Sequence, residues 1–161
     1  MKIRRQMNYI PCWTQWADIH NLKISNLNWT SPNLHYSIPE NIAQSSFLMG
    51  IFELLVEDNL LSVVYFIAHP DLFPEPCATQ PLNLRTLRKL YGTLHKKKDE
   101  ISGIHHLFMS FSNEEESQKF KQKIGDPLLV IQKEVKNGAQ LLYYEEELAA
   151  IEAYQFVEMS E

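Results

Sequence analysis

The sequence predicts a mainly α fold: a single-domain, irregular helical bundle of about five to seven helices. An extended N-terminal wrap precedes the bundle, with room for one minor strand near 104–111. Three observations predict it. Apolar residues recur at helical spacing in several windows, most clearly Leu84, Leu87, Leu90/Tyr91 and Leu94. Helix-start signatures stand ahead of such windows, with Ser37 three residues before Glu40 and Ser112 three before Glu115. The chain also holds only five glycines in 161 residues, few for a protein built from many tight β-turns.

Taken in order, residues 1–36 read as an irregular N-terminal wrap and residues 37–161 as the helical core of one domain, 1–161. A short helical stretch is expected over 13–20, placing Trp13, Trp16 and Ala17 on one side. The Asn-, Ser- and Pro-rich "SNLNWTSPNLHYSIPE" should be extended, pinned by Trp29, Leu34 and Tyr36. Ile42, Ser46, Met49, Phe52 and Leu55/Val56 follow at helical spacing, Asp58-Asn59 breaks that helix, and 60–69 makes a second, almost wholly apolar one. Pro70, Pro74, Pro76 and Pro81 forbid helix across 70–81. The helix from Leu84 carries Lys96, Lys97 and Lys98 in its last turns, where cations suit the dipole. Residues 101–111 are ambiguous between strand and buried helix. A helix opened by Ser112 and Glu115 is stopped by Gly125. Asp126-Pro127 then resembles an N-cap with a first-turn proline, and Asn137-Gly138 a helix stop. Leu141, Tyr144, Leu148 and Ile151 mark a final helix.

Composition, at 45% hydrophobic and 22% charged, is that of an ordinary soluble domain. Cys12 and Cys77 are too few for a disulfide framework or a cysteine zinc site, and suit a reducing cytoplasm. The longest greasy stretch, 47–68, contains Glu53, Glu57 and Asp58, which excludes it as a membrane span and predicts no membrane insertion. "MKIRRQMNYIPCW" has the charges of a signal peptide without its apolar region. The net charge of −5 falls in blocks: +3 over 1–23, −6 over 24–84, +4 over 85–136 and −6 over 137–161. No dominant basic footprint results, so no nucleic-acid partner is expected.

The run "SVVYFIAHPDLFPEPC" raises two chemistries. Ala68-His69-Pro70-Asp71 resembles the opening of the metal-dependent amidohydrolases of N-acetylglucosaminyl lipids, in which the His and a second Asp bind zinc. Leu72 stands at that second position and supplies no ligand oxygen. His-Pro-Asp also resembles the J-domain loop, but the preceding segment has no basic residue to dock with. The plainer reading makes the tripeptide punctuation, with His69 ending a buried helix and Pro70 stopping it. His105 and His106 are adjacent and point apart, without a metal-helix spacing. No catalytic residue, metal or cofactor is expected.

Residues 47–75 and 111–127 resemble a family of uncharacterised helical proteins encoded in bacterial type VI secretion loci. Phe47-Leu48, Leu54-Leu55, "VVYFIAH" at 63–69 and "FSNEEESQKFKQKIGDP" carry the resemblance. Tyr65 replaces that family's arginine, and its Arg-Glu and Trp-Trp pairs are missing. The resemblance implies a cytoplasmic accessory or adaptor.

The function expected from these residues is a non-enzymatic protein–protein interaction module: a secretion-system accessory, adaptor, chaperone or immunity protein, with homo-oligomerisation open. Its partner would be another protein, held by the acidic and aromatic cluster Tyr143, Tyr144, Glu145, Glu146 and Glu147. The competing expectation is a small metal-dependent hydrolase or metal-binding regulator using His69, His105 and His106. Convergence of those three imidazoles in space would favour it.

Overall fold

A computed structural model of the chain describes residues 3–6, 22–29, 47–72 and 83–157. The predicted helix at 13–20, the capping pair Ser37/Glu40 and the anchors Leu34 and Tyr36 lie outside them. The architecture is a six-stranded antiparallel sheet, not a helical bundle. In chain order the elements are β1 (Ile3–Gln6), β2 (Leu22–Trp29), β3 (Leu48–Val56), β4 (Asn59–Ala68), α1 (Leu84–Lys96), β5 (Ser102–Phe111), α2 (Glu114–Phe120), β6 (Pro127–Asn137), β7 (Gln140–Ala150) and β8 (Tyr154–Val157). The sheet runs β2-β3-β4-β7-β6-β5, and β1 pairs with β8 in a separate parallel ladder.

Both apolar segments predicted as helices over 42–56 and 60–69 become one hairpin within the described residues. Leu48 pairs with Ala68 and Val56 with Asn59. Glu57 and Asp58 turn the chain with φ of 52° and 64°, the paired positive values of a type I′ turn. Left-handed backbone at non-glycine residues costs roughly 1–2 kcal/mol each. A ladder of nine residue pairs offsets it. The reason for the correction is burial on both faces. β4 and β7 occupy the middle of the sheet, so Val63, Val64, Phe66 and Ile67 are all buried, and a strand covered on both sides shows a continuous apolar run.

The second correction concerns 127–150. Asn137-Gly138 is a hairpin turn joining β6 to β7, not a helix stop. Asn137 pairs with Gln140, and Gly138, at φ 58°, takes the first of the two central positions. The predicted final helix through Leu141, Tyr144, Leu148 and Ile151 is therefore strand β7 followed by a single 3-10 turn, Ile151–Ala153. The ambiguous 101–111 resolves as β5, at one edge of the sheet.

The two helices stand close to their predicted places. α1 buries Leu87, Leu90 and Leu94 against the sheet, and Asn83 caps it by accepting from Thr86 N–H at 3.0 Å. α2 is capped by Asn113 with Glu116, one residue later than the Ser112/Glu115 pair that the sequence suggested. Its last residue precedes Lys121, which takes the left-handed C-cap conformation at φ 54°. No described helix is long and apolar enough to cross a membrane.

Candidate functional site

Alternation along paired strands sends Tyr143, Glu145 and Glu147 of β7 to one face and Tyr144 and Glu146 to the other. The first face carries α1. Its core joins Phe52 and Leu54 (β3), Val64 and Phe66 (β4), Ile131 and Val135 (β6), Tyr143 and the three leucines of α1. Into this apolar layer the sequence inserts charge. Lys133 lies directly across from Glu145, and its Nζ stands 2.9 Å from Oε1, with both side chains buried. The Tyr143 hydroxyl donates to the other carboxylate oxygen of Glu145 at 2.8 Å. One step along the strand, Glu147 accepts from the Tyr154 hydroxyl, which the 3-10 turn after β7 brings back over the sheet.

Ser62 extends the same face on β4. It sits opposite Ala149, diagonal to Glu147, and its hydroxyl is buried with no hydrogen-bond partner among the described residues. Phe66 packs beside this row, stacked on Tyr143 with ring centroids 6.1 Å apart.

The opposite face has a second polar row. Glu146 accepts from Gln132 Nε2 at 3.3 Å and from the Tyr144 hydroxyl at 3.4 Å. Burial raises the Tyr144 pKa well above the usual phenol value, and the Glu146 carboxylate, through its charge and hydrogen bond, and Glu134 push it the same way. Tyr65 is raised as well, by burial first and then by Glu115, Glu146, Glu116 and Glu53. Above pH 10 an unfolded tyrosine loses its proton while these two keep theirs, so the unfolded state binds fewer protons than the native state. Stability should be fully present below about pH 10 and fall as pH rises beyond it. A near-ultraviolet phenolate titration should leave at least two of the seven tyrosines unionised until the fold melts. Uniform titration near pH 10 in a folded sample would refute the assignment.

The five residues singled out in the sequence therefore lie together, but on a central strand and buried, with Tyr143, Glu145 and Glu147 on one side and Tyr144 and Glu146 on the other. Sequence reasoning did not find Lys133, Tyr154 or Ser62. Recognising Asn137-Gly138 as a hairpin turn would not have sufficed for Lys133: counted back from the Asn137/Gln140 pair it falls opposite Tyr144, and the irregularity between Val135 and Lys136 shifts it to Glu145.

The three histidines do not converge. His69 ends β4, while His105 and His106 lie on β5, three strands away at about 4.8 Å per strand. His69 Nδ1 accepts from the Asp71 N–H at 3.1 Å, and its Nε2 meets the Gln140 side-chain amide at 3.1 Å. Among the described residues no group of three His, Cys, Asp or Glu could hold a metal ion. The metal-dependent alternative is thus corrected, and His-Pro-Asp closes a strand, not a helix. A groove of about 620 Å³ lies beyond the ends of β6 and β7, between Phe120, Lys121, Lys123, Ile151 and Glu152. None of those five side chains is buried, so the groove lacks the enclosed polar groups of the row beneath α1.

The fold is one that transcriptional regulators use for their C-terminal and effector domains. The chain is similar to the C-terminal domain of the histidine utilization repressor from Pseudomonas syringae, with 12% identity, a TM-score of 0.61, and coverage of 88% of this chain and 98% of that one. It is similar to the effector domain of PhnF from Mycobacterium smegmatis at 11% identity and a TM-score of 0.66, covering 99% of both chains. Against the longer PhnF chain the TM-score is 0.65, and coverage is 99% of this chain but 72% of that one. A structure assigned to the GntR family of transcriptional regulators matches at 9% identity and a TM-score of 0.64, covering 100% of this chain and 69% of that one. Identities this low establish a shared fold. No family model matches the sequence, and no curated protein matches it. The resemblance to type VI secretion proteins is overturned, and with it the secretion accessory or adaptor: those are helical, whereas this chain has the sheet of regulator domains.

Proposed function

We propose that this chain is the small-molecule-binding effector domain of a cytoplasmic transcriptional regulator, and that its ligand is held on the α1 face of the sheet. One observation carries the reading. Lys133, Glu145, Glu147, Tyr143, Tyr154 and Ser62 line up beneath a helix in the middle of a core that apolar residues would fill more cheaply. A buried ion pair is a weak source of stability and is often replaceable by hydrophobic packing without loss. Ionisable groups held in such places concentrate at binding sites. The likeness to effector domains supports the same reading, since the chain covers nearly all of the PhnF effector domain but only 72% of the longer PhnF.

The chemistry of the row favours a ligand rich in hydroxyl or amine donors. Ionised carboxylates only accept hydrogen bonds, while Lys133 donates and the two phenols can do either. The test is a thermal-shift panel of sugars, amino acids and polyamines. A compound present at about 100 times its Kd should stabilise the native state by about 2.7 kcal/mol, raising Tm by roughly 5–11 °C for a domain of this size. Glu147→Gln should weaken a compound bound there by about 10- to 150-fold, the worth of a hydrogen bond to a charged group. Hits that bind Glu147→Gln and Glu145→Gln as tightly as wild type would place the ligand elsewhere and end this reading.

A further inference from the structure

We infer that the outer face of α1 is a contact surface for the phosphate backbone of duplex DNA, with Arg85, Lys89 and Lys96 in a row and Arg88 beside them. Leu87, Leu90 and Leu94 fix the rotation of the helix by facing the core. Side chains four and seven residues apart project in one direction, so Arg85, Lys89 and Lys96 share the side turned away from the sheet. All four cations are exposed. Among the described residues no ion pair involves any of them. Gly92 falls in the same row, and a Cβ there would meet nothing within 4 Å, so the row has open space at its middle.

Folding does not account for this placement. The helix dipole welcomes Lys96 at the C-terminal end of α1, but it disfavours cations at the N-terminal end. Arg85 stands in the first turn, which holds no acid, and Arg88 follows just after it. Arg85 is also three and four residues from Arg88 and Lys89, the spacings at which like charges repel on a helix. Cations clustered along one helix are the electrostatic footprint of nucleic-acid binding. Charge summed over the whole chain hides this one. Six of the fifteen Lys and Arg lie in 85–98 with no acid among them, which leaves nine against all twenty Asp and Glu elsewhere. A polyanion is drawn to this face and repelled by the acidic remainder, which orients the contact.

The partner follows from what the face lacks. Interfaces between proteins are centred on apolar side chains, and a helix that lies on a membrane sinks an apolar face into the lipid. Among the described residues the large exposed apolar side chains are Ile104, Leu107, Met109, Phe111 and Ile124, none of them on α1. The inward leucines of α1 are taken up by the core. Phosphates need only the cations. From Arg85 to Lys96 the row covers about 16 Å of helix, over which one strand of a duplex presents about five phosphates. Such contacts position a protein on DNA without reading its sequence. This inference is independent of the ligand reading, which concerns the inner side of the same helix.

The experiment is fluorescence anisotropy of a labelled mixed-sequence duplex, titrated with this chain at a series of salt concentrations. The wild type is compared with Arg85→Gln/Lys89→Gln/Lys96→Gln and with Gly92→Glu, and polyglutamate and anionic phospholipid vesicles are titrated alongside. For the wild type, log K should fall against log salt with a slope of about −3 to −5, as about three to five phosphate contacts give. The triple variant should lose about one unit of slope per cation removed and bind about 10-fold or more weakly at low salt. It should melt at the wild-type temperature or higher, because repulsion along the helix is relieved. Gly92→Glu places an acid in the row at a position where glutamate suits a helix better than glycine, and it should weaken binding too. A wild type that leaves the duplex unbound, a triple variant with the wild-type slope, or tighter binding to polyglutamate or vesicles than to the duplex overturns the inference. If the triple variant does not fold, Gly92→Glu decides: duplex affinity equal to that of the wild type overturns it.

Discussion

Replacing Lys133 by methionine is expected to destabilise the domain by about 3–5 kcal/mol, the cost of stranding a buried carboxylate whose cation has been removed. Lys133 Nζ and Glu145 Oε1 are 2.9 Å apart, and the lysine is fully buried, so water cannot take its place without opening the sheet. At this size the loss corresponds to roughly 6–20 °C in Tm. The double variant Lys133→Met/Glu145→Leu should recover most of it, since both charges leave together. The Tyr143 hydroxyl would then lose its acceptor, so Tyr143→Phe in that background should be neutral or stabilising. Urea unfolding of the set measures these differences directly. A single-variant loss below about 1 kcal/mol would mean that the pair is hydrated, as surface pairs are. Full recovery in the double variant together with loss of ligand response would mark the pair as functional, not structural.

Phe66→Ala is expected to cost about 3–5 kcal/mol, the range for deleting a buried aromatic ring. The side chain is buried in the principal core, between Gly50 of β3 and Glu145 of β7 in register, and touches Phe52 and Tyr143. Its removal leaves a cavity beside the polar row. Because its ring stacks on Tyr143, which in turn donates to Glu145, the variant should also bind a ligand of the α1 face less tightly. A compound bound at the distant groove between Phe120 and Ile151 would not register the change. Unfolding curves supply the first number and titration of a panel hit the second. A well-folded Phe66→Ala with unaltered affinity would separate the core from the site.

Parts of this structure were legible in the chain. Leu84, Leu87, Leu90 and Leu94 recur at helical spacing, and α1 forms there with Leu87, Leu90 and Leu94 inward. Asn113 and Glu116 close a capping box within one residue of the pair read from the sequence. The cluster at 143–147 is legible as aromatic residues set beside acids, though its strand conformation and its burial are not. What failed was the choice between periods. Central strands covered on both faces lose the alternation that marks a strand, so β4 reads as buried helix, while in β7 Leu141, Tyr144, Leu148 and Ile151 happen to fall at helical spacing. The turns misled for a related reason. Glu57-Asp58 carries no glycine, and Asn137-Gly138 serves a helix end and a hairpin equally well.

The sequence by itself determined the two helices, the uncharged run that became β5 and the unusual density of acid at 145–147. These depend on side chains close together in the chain, where spacing and composition suffice. Only the tertiary structure decided that residues 47–68 and 127–150 are hairpins, that Lys133 faces Glu145, and that Tyr154 returns to Glu147. Those facts depend on which strands lie side by side: the two hairpins are joined through β4 and β7, whose paired residues are far apart in sequence. Such pairing is selected by burying both faces of one sheet at once, a condition that no local window contains.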